Sequence, residues 1–137
     1  MSGFDFSHVT VALLGLVSCP NLKLNMTGAS FKNLSNSLVS GVLSGITSPE
    51  INLSDADFTN TITTGVTDMS SMFADCSSLT SLNLSSFDTS SVTNMSAMFA
   101  ATSNLASITV GKKWIVGSST NVRDMFGGSG TDHVTAI

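Results

Sequence analysis

The chain has 137 residues, of which 42% are hydrophobic and only 10% charged, and its net charge is −4. One domain of that length buries about 68% of its unfolded surface, so the apolar content is enough for a core. The five basic residues (Lys23, Lys32, Lys112, Lys113 and Arg123) are scattered, which argues against nucleic acid and anionic lipid as partners.

With 25 Ser and 16 Thr, the surface must be mostly hydroxyls and amides. From the N-terminus, the longest apolar run is Val11 to Val17, well short of the 18 or more residues of a membrane span. Leu16-Val17-Ser18-Cys19 resembles a bacterial lipoprotein cleavage box. The ten residues at the start hold Asp5 and no Lys or Arg, so no export leader is expected from them.

The same residues fit an internal repeat. VTDMSSMF from Val66 returns as VTNMSAMF from Val92, 26 residues later. That shift also lays Leu79 on Leu105, Leu82 on Ile108, Leu84 on Val110 and Cys76 on Thr102. A shift of 83 lays FDFSHVT from Phe4 on FDTSSVT from Phe87, and Cys19 on Thr102. Phe4, Phe31, Phe58, Phe87 and Trp114 are spaced by 27, 27, 29 and 27 residues. The chain therefore divides into five units of one domain, about 4–30, 31–57, 58–86, 87–113 and 114–137. The second unit is degenerate. In the fifth, a shift of 27 puts Val122, Met125 and Phe126 on Met95, Met98 and Phe99.

Each unit carries two periods. Val66, Met69, Met72, Phe73 and Cys76 have helical spacing, with Thr67 or Ser70 as cap and Asp68 at the N-terminus. Leu82-Asn83-Leu84 alternates with period two and predicts a short strand. Equivalent strand pairs are Leu24 with Met26, Ile51 with Leu53, Ile108 with Val110, and Val134 with Ala136. One unit cannot bury its own apolar face, so units must stack, strand beside strand. The fold class expected is α/β: a leucine-rich-repeat solenoid of about five helix/turn–strand units, with a parallel sheet on one face. A stack ending in an open strand edge is expected to pack against neighbouring subunits or to be a segment of a longer protein.

The stretch VTDMSSMFADCSSLTSLNLSSFDTSSVTNMSAMF closely resembles the BspA-like leucine-rich repeat of bacterial surface proteins, most strongly over residues 58–113. The resemblance implies a cell-surface or extracellular module for adhesion, binding a protein or a glycan, with no catalytic residues and no cofactor. Such repeats also look at home in phage proteins, so the alternative is a structural or decorating subunit of an assembly such as a virion.

The residues themselves point to no enzyme. His8 and His133 have no neighbour at metal-ligand spacing, and no nucleophile elbow or phosphate loop is present. Asp55 and Asp57 give two carboxylates where calcium takes six to eight oxygens, so no metal is expected. Asp5 and Asp88 are repeat equivalents suited to bonding a turn backbone. Cys19 and Cys76 stand two units apart, beyond disulfide reach, and are expected to be buried free thiols. The sequons at Asn25, Asn33, Asn52, Asn83 and Asn94 read as by-products of L-x-L-S with x as Asn. Between inward neighbours, Asn25, Asn52, Asn83 and Thr109 face outward, with Glu50, Ser81 and Ser107 on the same face. These seven residues form the candidate binding face, and the unshared letters, Asp68 against Asn94 and Ser71 against Ala97, are a further place where recognition could reside.

Overall fold

The computed structural model describes residues 61–77 and 79–137 with their side chains, and residues 22–25 and 51–57 as backbone strands. The strands are β1 (Leu22–Asn25), β2 (Ile51–Asp57), β3 (Ser81–Leu84), β4 (Ser107–Val110) and β5 (Thr135–Ala136). β1 and β2 form one parallel pair, and β3, β4 and β5 form a parallel sheet in that order. In β3 and β4 the even positions, Leu82 with Leu84 and Ile108 with Val110, are buried, while the alternate positions face out. The apolar pairs two residues apart create this alternation.

Partners across the sheet are one unit apart. Ser81 to Leu84 lie opposite Ser107 to Val110, and Thr109 and Val110 lie opposite Thr135 and Ala136. β1 differs from the spacing of the apolar pairs. Leu22, not Leu24, lies opposite Ile51, and the register then shifts so that Asn25 faces Asp57. A slip of two residues preserves the alternation of a strand, so period-two spacing does not fix this choice.

The stripe from Val66 to Cys76 is not a helix: no α-helix occurs among the described residues, and the stripe folds as tight turns. Alternate amides serve different partners. Met72, Ala74 and Cys76 donate to the carbonyls of Met69, Ser71 and Phe73, three residues back. Met69, Ser71, Phe73 and Asp75 donate across to the carbonyls of Asn94, Ser96, Met98 and Ala100 in the next unit. Met95, Ala97, Phe99 and Ala101 donate in the same way to Asn121, Arg123, Met125 and Gly127. The units are thus joined by a second parallel ladder made of turns. A helix would direct its amides to carbonyls four residues back in the same unit and leave none for the neighbouring unit.

Left-handed residues enforce the alternative. Ser71, Ala97 and Asp124 have φ of 54°, and Asp75, Ala101 and Gly128 have φ of 59°, 56° and 71°. These two sets recur at the same places in successive units. A left-handed residue costs about 1–2 kcal/mol unless it is glycine, as Gly128 is. Ala101→Gly is therefore expected to stabilise the protein by about 0.5–1 kcal/mol. Urea denaturation would show this as a higher midpoint at unchanged slope.

The core consists of columns of equivalent side chains. Met69 stands over Met95, and Met72 over Met98 and Met125. Leu79 stands over Leu105, and all of these are buried. The rings of Phe73 and Phe99 stack at 5.7 Å and 6°, and those of Phe99 and Phe126 at 5.5 Å and 16°. Cys76 is a buried free thiol, as expected, and Cys19 lies outside the described residues. Thr102, in the same column, donates from its hydroxyl to the Phe99 carbonyl at 2.6 Å.

Threonines also clamp neighbouring units. Thr63 Oγ1 accepts the Asp88 N–H at 2.8 Å, and Thr89 Oγ1 accepts the Ile115 N–H at 2.6 Å. Both threonines are buried. Thr89→Val keeps the shape but removes the acceptor, and is expected to cost ~1–2 kcal/mol in thermal or urea unfolding.

Candidate functional site

The outward face of β3–β4–β5 carries Ser81, Asn83, Ser107, Thr109 and Thr135. All are exposed except Thr109, which is half-buried. Ser81 stands opposite Ser107, and Asn83, Thr109 and Thr135 run across the sheet in register. No charge interrupts this face. Asn83 is held in place because its Oδ1 accepts the Ser85 N–H at 3.1 Å. Thr135, between the weak apolar pair Val134 and Ala136, also belongs to the column; the 26-residue shift from Thr109 is the signal that finds it. Asn25 and Asn52 lie on β1 and β2 but are not partners, for Asn52 faces Lys23. Glu50 lies outside the described residues, as do Asp5, His8 and the Asn33 sequon. Asp55 and Asp57 fall within β2, described as backbone.

Asp68 and Asn94 do not stand ready for recognition. They form a bridged column with Asn121. Asn94 Nδ2 donates to Asp68 Oδ2 at 3.3 Å, and Asn121 Nδ2 donates to Asn94 Oδ1 at 3.1 Å. The Oδ1 atoms of Asp68, Asn94 and Asn121 also accept the N–H groups of Ser70, Ser96 and Arg123, two residues on. Each side chain thus closes its own turn and ties its unit to the next. Asp68, read as a helix N-terminal acid, is a turn residue.

Asp88 closes a turn in the same way, accepting the Ser90 hydroxyl at 2.6 Å and the Ser90 N–H at 3.1 Å. These bonds hold its carboxyl below the usual range, helped by Lys113 at 3.5 Å. A lowered pKa contributes stability at neutral pH that is lost as pH falls through it. His133 Nδ1 lies 2.8 Å from Asp132 Oδ1, and both side chains are exposed. No group of three His, Cys, Asp or Glu side chains converges among the described residues. No helix among them is long and apolar enough to cross a membrane.

A second feature lies on the outer face of the fifth unit. A cleft of about 420 Å³ is lined by Trp114, Val116, Val122, Met125, Phe126, His133 and Val134. Val116 and Val122 are 48% and 43% exposed.

The model of the family described as "Mycoplasma protein of unknown function, DUF285" matches residues 41–133. The chain belongs to this family. The DUF285 match takes in all of the third and fourth units and most of the fifth, with the turn ladder, the phenylalanine stack and strands β3 and β4; β5 lies just beyond it. No curated protein and no solved structure matches the chain.

Proposed function

We propose that this DUF285 protein is a non-enzymatic interaction module, a leucine-rich-repeat solenoid of the BspA-like kind that binds a protein or a glycan at a surface. One observation carries the reading: a flat, uncharged and in-register array of hydroxyls and amides on β3–β4–β5. Hydroxyls and amides on adjacent strands, about 4.8 Å apart, can bond to sugar hydroxyls or to an extended peptide without demanding charge. Repeat stacks offer their ligands extended surfaces of this kind. The resemblance of residues 58–113 to adhesins of bacterial surfaces supports the same reading.

The test is a glycan array and a panel of surface proteins probed with the protein and with Asn83→Lys/Thr109→Lys. Two ammonium groups on the strand face should abolish capture of the bound ligand while leaving the circular dichroism unchanged. Undiminished capture by the variant would remove this face as the site. A second reading, a building subunit of a larger assembly, is favoured by the apolar outer face of the fifth unit.

A further inference from the structure

Side-chain hydroxyls and amides away from the sheet join one unit to the next. Thr63, Thr89, Thr102 and Thr120 bond across to neighbouring units. Asn94, Asn104 and Asn121 each give Nδ2 to the unit before. The strand face is different. The hydroxyls of Ser81, Ser107, Thr109 and Thr135, and Nδ2 of Asn83, have no protein partner among the described residues. Asn83 is fixed through Oδ1 by the Ser85 N–H, which leaves Nδ2 as a positioned donor.

What surrounds these groups narrows the ligand. Leu82, Leu84, Ile108 and Val110 are at most 3% exposed, so β3 and β4 offer no apolar surface to the aromatic or aliphatic anchors on which protein interfaces depend. β4 is bonded to β3 on one side and β5 on the other, so an extended peptide finds no free backbone row there to pair with. None of the five outward residues is ionisable, and charge complementarity therefore calls for an uncharged ligand. Asp132 and His133, just before β5, bond to each other at 2.8 Å.

What remains is donors and acceptors at regular intervals. Each hydroxyl has one proton to give and two lone pairs to accept with. Asn83, Thr109 and Thr135 repeat from strand to strand, about 4.8 Å apart, with Ser81 and Ser107 as a second row. The matching ligand is neutral, and it carries hydroxyls at every repeat of its own chain. We infer that the face of β3–β4–β5 takes a neutral oligosaccharide lying across the strands, its hydroxyls exchanging hydrogen bonds with Asn83, Thr109 and Thr135 in turn. The inference rests on the strand-face reading above and narrows it from protein or glycan to a glycan without charge. No aromatic ring on the face stacks against a sugar, so the affinity comes from hydrogen bonds and lies in the millimolar range.

Nuclear magnetic resonance titration of the whole chain tests this. The neutral probes are short homopolymers of glucose, galactose, mannose and N-acetylglucosamine, each at up to about 10 mM. Heparin oligosaccharide is the charged probe. At least one neutral probe should shift the amide signals of Ser81, Asn83, Ser107, Thr109 and Thr135. Its Kd should fall as the probe grows from one sugar to about three, one for each strand. Added salt should leave the Kd unchanged, because no ion pair is screened. Thr109→Val keeps the shape and removes one hydroxyl, and should raise the Kd about two- to tenfold. Thr135→Val makes the same change at an exposed position, should Thr109→Val fail to fold. No shift with any neutral probe, binding that salt abolishes, or binding indifferent to the valines overturns the inference. Capture of heparin or a protein that Asn83→Lys/Thr109→Lys abolishes, with no neutral sugar bound, overturns this inference and leaves the strand-face reading standing. Neutral sugar that shifts only signals elsewhere overturns both.

Discussion

Phe99→Ala is expected to lower stability by about 3–5 kcal/mol, the range for removing a buried phenylalanine. Phe99 is fully buried and is the middle ring of three, at 5.7 Å from Phe73 and 5.5 Å from Phe126. The substitution opens a cavity at the junction of three units and removes two stacked pairs, each contributing ~0.5–1.5 kcal/mol beyond area. Set against a total of about 5–15 kcal/mol for a domain, the loss leaves little cooperative folding. Urea denaturation should show a midpoint lower by about 2 M, given a slope of ~1–3 kcal/mol/M. Phe126→Ala removes a half-buried ring with one stacked neighbour, and should cost about half as much or less. Equal losses for the two variants would show that the rings do not act as a lengthwise stack.

That stack was legible in the sequence, because a stacked layer must be filled by like side chains. Phe73, Phe99 and Phe126 coincide under shifts of 26 and 27 residues, as do Met72, Met98 and Met125. The strands followed for the same reason, since Leu82, Ile108 and Val134 keep one face apolar. The helix did not follow. Apolar residues at three- and four-residue spacing satisfy a helix and a run of tight turns alike, and only the backbone donors decide between them. Nothing in the side chains of Ser71 or Ala97 announces a positive φ; the neighbour that collects the alternate amides imposes it. The threonine clamps were equally hidden, since Thr63 and Thr89 read as two more polar residues among many. In the candidate face, Ser81, Asn83, Ser107 and Thr109 could be placed because they flank apolar strand residues. Thr135 was missed because the apolar pair around it, Val134 and Ala136, is weak. Asp68 and Asn94 were misjudged because a difference between repeats suggests an outward role. Asp and Asn can each accept the turn amide through Oδ1, so one replaces the other without loss of structure.

Gly111→Ala is expected to be the most damaging change among the described glycines. A Cβ there would run into the backbone carbonyl oxygen of Ser85, in the preceding unit. Backbone is on both sides of the collision, so no side chain can rotate away. Accommodation requires the fourth unit to move off the third just where β4 ends, and β3–β4 pairing and the Leu84–Val110 layer must follow. Overpacking of this kind costs ~1–3 kcal/mol and more when the backbone is fixed. Gly130, in the turn before β5, makes another close backbone approach between units, where a Cβ would lie 2.6 Å from the Leu105 carbonyl oxygen and 2.7 Å from that of Ser103. Gly117 is the control. Its added Cβ would meet only the Thr120 hydroxyl, at 3.3 Å, and Gly117→Ala should stay within about 0.5 kcal/mol of the parent. Urea midpoints of the three variants, measured side by side, should separate Gly111→Ala and Gly130→Ala from Gly117→Ala. If Gly111→Ala unfolds with Gly117→Ala, the units are not held at the close backbone distance on which the ladders depend. If it separates as expected, that distance is set by glycine at the strand end, and each unit fixes the height of the next.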